Sequence, residues 1–158
     1  MKTKDIVKQR GNSRTNLLQI LHDLQDSSGD NSLHRDEIEA LAKEMDIPVS
    51  DIVGTATFYS MFSFEPRGRH IIRLCESPPC YVMGEENVLA AIGSKLGIGF
   101  GETTADGCFT LEPTSCLGAC GVAPVMMIDD EIYGNLTEAK VAEILDLVAS
   151  ADRGAAAD

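Results

Sequence analysis

"TSCLGACGVAPVMMIDDEIYGN", residues 114–135, sets Cys116 and Cys120 on a glycine-bearing loop that runs straight into an apolar segment. PVMMI has the length and composition of a buried strand. Asp129 and Asp130 then turn the chain into EIYGN, so the two runs read as a β-hairpin. Two thiols at the mouth of a buried strand can bond to each other, attack a substrate or hold a metal. The choice depends on what the rest of the chain places beside them.

Upstream, CFTLEP (108–113) reads as a short strand, and HIIRLC (70–75) alternates Ile72 and Leu74 with Arg73 as a half-buried strand does. Between them, Val88, Leu89, Ile92 and Leu96 form a helical stripe that Gly97 closes. Downstream, Thr137 can cap a last helix with Val141, Ile144, Leu145 and Val148 on one face. The closing run SADRGAAAD is rich in small residues and is expected to fray. Strand, helix, three strands and a helix make the element order of a minimal thioredoxin-like domain, whose first crossover should be right-handed.

The first 64 residues carry a different period. Leu17, Ile20, Leu21 and Leu24 fall on one helical face, DSSGDNS breaks the pattern, and Ile38, Leu41, Ala42 and Met45 resume it until Asp46 and Pro48. Ser50 is the expected cap of a third helix through DIVGTATFYSMF, stopped by Glu65 and Pro66. The expected architecture is therefore α+β: an N-terminal three-helix bundle over 1–66, a thioredoxin-like βαβββα domain over 67–150, and a flexible tail over 151–158.

With 13 basic residues against 25 acidic ones, the chain carries a formal charge of −12 and no basic stripe, which argues against nucleic-acid binding. The longest apolar run, VAPVMMI at 122–128, falls far short of the ~20 residues that span a bilayer, so no membrane insertion is expected. The N-terminal stretch MKTKDIVKQRGNSR has basic residues without an apolar run behind them, unlike a secretory signal. A cytoplasmic location follows as the expectation. In such a reducing compartment, cysteines serve as metal ligands or redox thiols more often than as structural disulfides.

Cys75 and Cys80 stand in CESPPC at the end of the first strand, and Cys116 and Cys120 stand before the third. If these strands are neighbours, four sulfurs converge. Gly118 and Gly121 would let the backbone come close, and Pro78 and Pro79 would stiffen the wider loop. A [2Fe–2S] cluster takes four thiolates, and so does structural zinc. Thiol–disulfide exchange would want C-x-x-C at a helix N-terminus, which is absent. The wide CESPPC loop suits a two-iron cluster better than one tetrahedral ion, and zinc stays open as the alternative.

The segments GTATFYSMFSFEPRGRHIIRLCESPPC and GETTADGCFTLEPTSCLGACGVAPVMMIDDEIYGNLT resemble the thioredoxin-like [2Fe–2S] subunit of NADH dehydrogenase modules. That family includes the small flavoprotein-partner subunit of respiratory complex I and its counterparts in NAD-linked hydrogenases and formate dehydrogenases. The resemblance implies that Cys75, Cys80, Cys116 and Cys120 ligate a [2Fe–2S] cluster. It implies an FMN- and NAD(H)-binding flavoprotein subunit as partner, with further Fe–S subunits in the complex and the N-terminal helices at the contact. The chain would then be an electron-transfer subunit without a complete active site of its own. A free-standing ferredoxin shuttle and a zinc-stabilised interaction module are the rival readings.

Cys108 is a departure from the family pattern, read here as an inert half-buried thiol. Glu76, directly after the first ligand, is a second departure, and its charge would lower the cluster potential. GIGFGE lacks the strand and helix of a dinucleotide fingerprint. His22, His34 and His70 are scattered and show no carboxylate partner at ligand spacing, and the acids at 129–131 read as a solvated turn. Aromatics of FYSMFSF left exposed would offer a partner a docking surface.

Overall fold

The structure, a computed structural model, describes residues 2–155. The chain divides into two compact units that meet in sequence at Arg67 and Gly68.

Among the described residues, the first unit holds helices α1 (Lys2–Arg10), α2 (Leu17–Asp26), α3 (Arg35–Met45) and α4 (Val49–Phe58). It is thus a four-helix unit, not the expected three-helix bundle. In α1 only Thr3 and Val7 are buried, so the helix carries no apolar stripe to betray it. Its Val7 joins Ile20, Leu21, Leu24, Ile38, Leu41 and Ile52 in one core.

Ser50 does not cap α4. Pro48 holds that position in extended backbone (φ −60°, ψ 141°), and Ser50 lies inside the helix. The helix also stops short of Glu65, with Tyr59 extended at φ −91° and ψ 117°. The buried amide of Gln25 explains the early stop. It donates to the Met61 carbonyl (3.1 Å) and accepts from the Ser63 N–H (2.9 Å), giving these groups partners outside a helix. Phe62 then packs on His22 (ring centroids 4.6 Å apart), while Phe58, Tyr59, Met61 and Phe64 stay exposed.

The second unit holds β1 (His70–Cys75), α5 (Pro78–Val82), α6 (Glu85–Leu96), β2 (Phe109–Thr114), β3 (Met126–Ile128), β4 (Glu131–Tyr133) and α7 (Glu138–Ala155). The sheet order is β2-β1-β3-β4, with β1 parallel to β2 and antiparallel to β3. In register, Ile72 lies beside Leu111 and Ile128, and Leu74 beside Met126, so these side chains share one face. Val88 and Ile92 of α6 and Val141, Ile144 and Leu145 of α7 pack on that face as a single core. Gly97 ends α6 at φ 71°, where a side chain would be strained. The Thr137 hydroxyl accepts the Lys140 N–H (3.3 Å) at the start of α7.

Two segments differ from the reading of the sequence. Residues 78–82, expected to be a stiffened loop, form the short helix α5. Its prolines stand in the first turn, where their missing N–H groups would have had no helical partner. The last helix continues to Ala155, into the stretch expected to be a tail. Asp152 anchors it by accepting the guanidinium of Arg69 (Nη2 to Oδ2 2.8 Å), a long-range contact that composition does not announce. Residues 156–158 lie outside the described residues. No helix among the described residues is long and apolar enough to cross a membrane.

Because Leu111 is fully buried between β1 and both helices, Leu111→Ala should cost roughly 2–5 kcal/mol of stability. A urea titration followed by far-ultraviolet circular dichroism reads that loss.

Candidate metal centre

The topology decides where the cysteines go. The C-terminal end of β1 lies beside the C-terminal end of its parallel neighbour β2 and the N-terminal end of its antiparallel neighbour β3. Cys75 closes β1, Cys116 follows just after β2, and Cys120 precedes β3 in a short 3₁₀ turn, Cys120–Val122. Cys80 comes back to the same edge on α5. Cys75 pairs in register with Thr114, and its N–H donates to the Val125 carbonyl (3.2 Å), which ties the end of β1 to both ends of the β2–β3 loop.

The four thiols stand as two pairs of different exposure. Cys75 and Cys80 are buried with Ala123 and Val125, and Leu117 and Ala119 pack against them. Cys116 and Cys120 are exposed, with their Sγ atoms 3.5 Å apart. None of the five cysteines is joined in a disulfide. A disulfide would need about 2.05 Å. Two thiolates at about 2.3 Å from one tetrahedral ion stand roughly 3.8 Å apart, close to the observed separation. Among the described residues, no three or more His, Cys, Asp or Glu side chains are placed to share a single metal ion.

Backbone donors surround the sulfurs. Gly118 N–H donates to Cys116 Sγ (3.4 Å), and Gly118 reaches that position with φ 80°, a conformation that favours glycine. A Cβ on Gly121 would meet no protein atom within 4 Å, so protein packing does not require glycine there. Burial pushes the Cys75 thiol up. Hydrogen bonds from the backbone of Ser77 and Leu117, from Cys80 and from the Ser77 hydroxyl outweigh that effect, and the net shift is down. Burial, then the hydrogen bond with Cys75, drives Cys80 up to about 11, although the Val125 backbone opposes them. Cys120 is raised by its hydrogen bond with Cys116, by the charge of Cys116, by burial and by the charge of Cys75. The pairs therefore sense each other as gathered negative charge, which a bound cation would relieve. Four sulfur donors, in pairs and met by N–H groups, fit a thiolate-ligated cluster.

Other residues singled out in the sequence lie elsewhere or differ in setting. Cys108 sits just before β2, at the end of the strand remote from Cys116, about 20 Å away at the usual strand rise. It is buried there, with its Sγ 3.7 Å from Asp152 Oδ2. Burial, and then the charges of Asp152 and Asp106, raise its pKa. Glu76 is exposed beside Cys75, and its N–H donates to the Thr114 carbonyl (3.1 Å). Two of the histidines do have carboxylate partners, contrary to the reading of the sequence. His34 Nε2 lies 3.2 Å from Asp30 four residues earlier, and His70 Nδ1 lies 2.7 Å from Asp129 across the β1–β3 pairing. That pairing also gives one acid of the 129–131 turn a partner.

Glu85 went unnoticed in the sequence. It opens α6 as a buried carboxyl raised by burial and then by the charges of Glu76 and Glu86. Its position at the head of a helix gave no signal, since acids are common there.

The family model of the thioredoxin-like [2Fe-2S] ferredoxin matches residues 3–149. One NADH-quinone oxidoreductase subunit from Pseudomonas aeruginosa is 50% identical over 109 residues, which is 69% of this chain and 66% of that protein. Its counterpart in Escherichia coli is 47% identical over the same shares, so the matched part spans just under two thirds of these relatives. The counterpart in Buchnera aphidicola is 39% identical over 142 residues, 90% of this chain and 82% of that protein. In fold, the chain is similar to part of an NAD+-reducing [NiFe]-hydrogenase in the air-oxidized state. That likeness has a TM-score of 0.76 at 22% identity and covers 89% of this chain and 24% of the other. The chain belongs to the thioredoxin-like [2Fe-2S] ferredoxin family.

Proposed function

We propose that this chain is an electron-transfer subunit of an NAD(H)-linked oxidoreductase complex, with Cys75, Cys80, Cys116 and Cys120 holding one [2Fe–2S] cluster. The carrying observation is the delivery of two cysteine pairs, one buried and one exposed, to the same sheet edge by the β2-β1-β3 pairing. Paired thiols suit two irons, each taking two protein sulfurs. When bound, such a cluster supplies a one-electron couple.

The chain's own residues hold and tune that site. Ala123 and Val125 keep water from Cys75 and Cys80, and the Ser77, Leu117, Gly118 and Val125 N–H groups offset thiolate charge. Donors to sulfur favour the more negative, reduced form and so raise the potential. The exposed side, at Cys116 and Cys120, is the face for electron exchange.

The partner in this reading is a subunit binding FMN and NAD(H), whose flavin does the two-electron chemistry with the nicotinamide. Relatives named as subunits of NADH-quinone oxidoreductase support it. Further Fe–S subunits would carry electrons onward, and a cytoplasmic complex is the setting. Phe58, Tyr59, Met61 and Phe64 are exposed apolar residues of the kind that a partner covers.

Alanine replacement tests the ligand set. Cys75→Ala, Cys80→Ala, Cys116→Ala and Cys120→Ala should each lose most of the iron, measured with sulfide on anaerobically purified protein. Cys108→Ser should keep about two irons and two sulfides per chain. Retention of the full complement by any of the first four would remove that residue from the site. Glu76→Gln should raise the midpoint potential by roughly 10–40 mV, because an exposed charge beside Cys75 disfavours added negative charge. A potentiometric titration in which the midpoint stays put or falls would show that Glu76 plays no such part.

A further inference from the structure

Gly134 lies just past β4, yet in space it meets the loop that carries Cys120. A Cβ built on it would press into Val122 Cγ2 and stand 2.7 Å from Val122 Cβ and 2.8 Å from the Val122 carbonyl oxygen. Its φ is outside the left-handed region, so the backbone conformation does not demand glycine. Space does.

The next residues lock the contact. Asn135 N–H donates to the Val122 carbonyl (2.5 Å) and Leu136 N–H to the Pro124 carbonyl (3.3 Å). Val122 N–H donates in turn to Ala119 O (3.0 Å), and Ala123 N–H to Cys120 O (3.3 Å), closing the turn in which Cys120 sits. Ala123 and Val125, just beyond, wall the buried pair Cys75 and Cys80. A displacement of Val122 is thus carried to both cysteine pairs.

We infer that Gly134 is a positioning residue of the cluster site: by lacking a side chain, it lets the Cys116–Cys120 loop seat on the β4–α7 connection at the height that its thiols need. This rests on the four-cysteine reading above. Nothing in the spacing of the cysteines singles out Gly134. Its role comes from a contact across the sheet edge.

The test compares wild type, Gly134→Ala, Gly134→Ala/Val122→Gly and Gly99→Ala, each purified anaerobically with its cluster. The readouts are the g-values of the reduced protein and the rate of iron loss to a chelator. Gly134→Ala should shift the g-values and release iron roughly fivefold faster or more, because the added methyl would meet the Val122 backbone carbonyl as well as its side chain. A purely structural role would lower the melting temperature and leave the g-values in place. The double variant, which removes the two nearest side-chain atoms, should move both readouts back toward wild type.

Gly99→Ala should leave both readouts unchanged, since the nearest atom to its Cβ is Glu102 Oε2 at 3.7 Å. Wild type without iron and sulfide would overturn the site assignment itself. Loaded wild type with Gly134→Ala unchanged would overturn only the positioning role. Should Gly134→Ala fail to accumulate, the double variant decides: a wild-type spectrum supports the role, and the same failure overturns it.

Discussion

Backbone pairing puts β1 between a parallel neighbour and an antiparallel one, and the site depends on that constraint. A strand flanked in this way has the exit of β2 and the entrance of β3 at its own C-terminal end. Residues placed on the β1 exit and on the β2–β3 loop come to the same end of the sheet. The fully buried face formed by Ile72, Leu74, Leu111 and Met126 under α6 and α7 holds the register. A one-residue slip would turn this apolar set to the wrong side and move Cys75 with it. Core packing and cofactor geometry are therefore one problem in this unit.

Gathering four thiols creates an electrostatic burden. Burial and neighbouring sulfur together push Cys80 up to about 11, and Cys120 is raised by Cys116. At Cys75 burial acts upward, but the Ser77 and Leu117 backbone outweighs it and the thiol is shifted down. An arrangement that disfavours its own thiolates would gain most from a positively charged centre that ligates them, and in the proposed site this would couple cluster binding to ordering of the loops. The asymmetry between a walled pair and an open pair also gives the site a direction, with Cys116 and Cys120 on the side open to solvent.

Much of this was legible in local sequence. The stripes of α2, α3, α6 and α7 are periodic, and β1, β2 and the β3–β4 hairpin have strand composition bounded by turn residues. The cysteine pairs could be read because each is short-range. What escaped depends on other forces. Helix α1 has few apolar residues and is held by Val7 against a core made by other helices. Helix α5 hides behind two prolines that look like a loop signal but suit a helix start. The early end of α4 is caused by Gln25, far away in sequence. The tie between Asp152 and Arg69, the pairing of His70 with Asp129 and the fit of Gly134 under Val122 are all long-range contacts. Patterns of period 2 and 3.6 cannot carry them.

The electron-transfer reading stands or falls on a two-iron cluster held by the four cysteines at this sheet edge. Electron paramagnetic resonance of the anaerobically purified, dithionite-reduced chain tests it most directly, with iron, sulfide and zinc measured on the same sample. The expected result is an S = 1/2 signal from a coupled iron pair, with about two irons and two sulfides per chain. A colourless protein with about one zinc per chain and no signal would leave the fold standing and contradict the electron-transfer function.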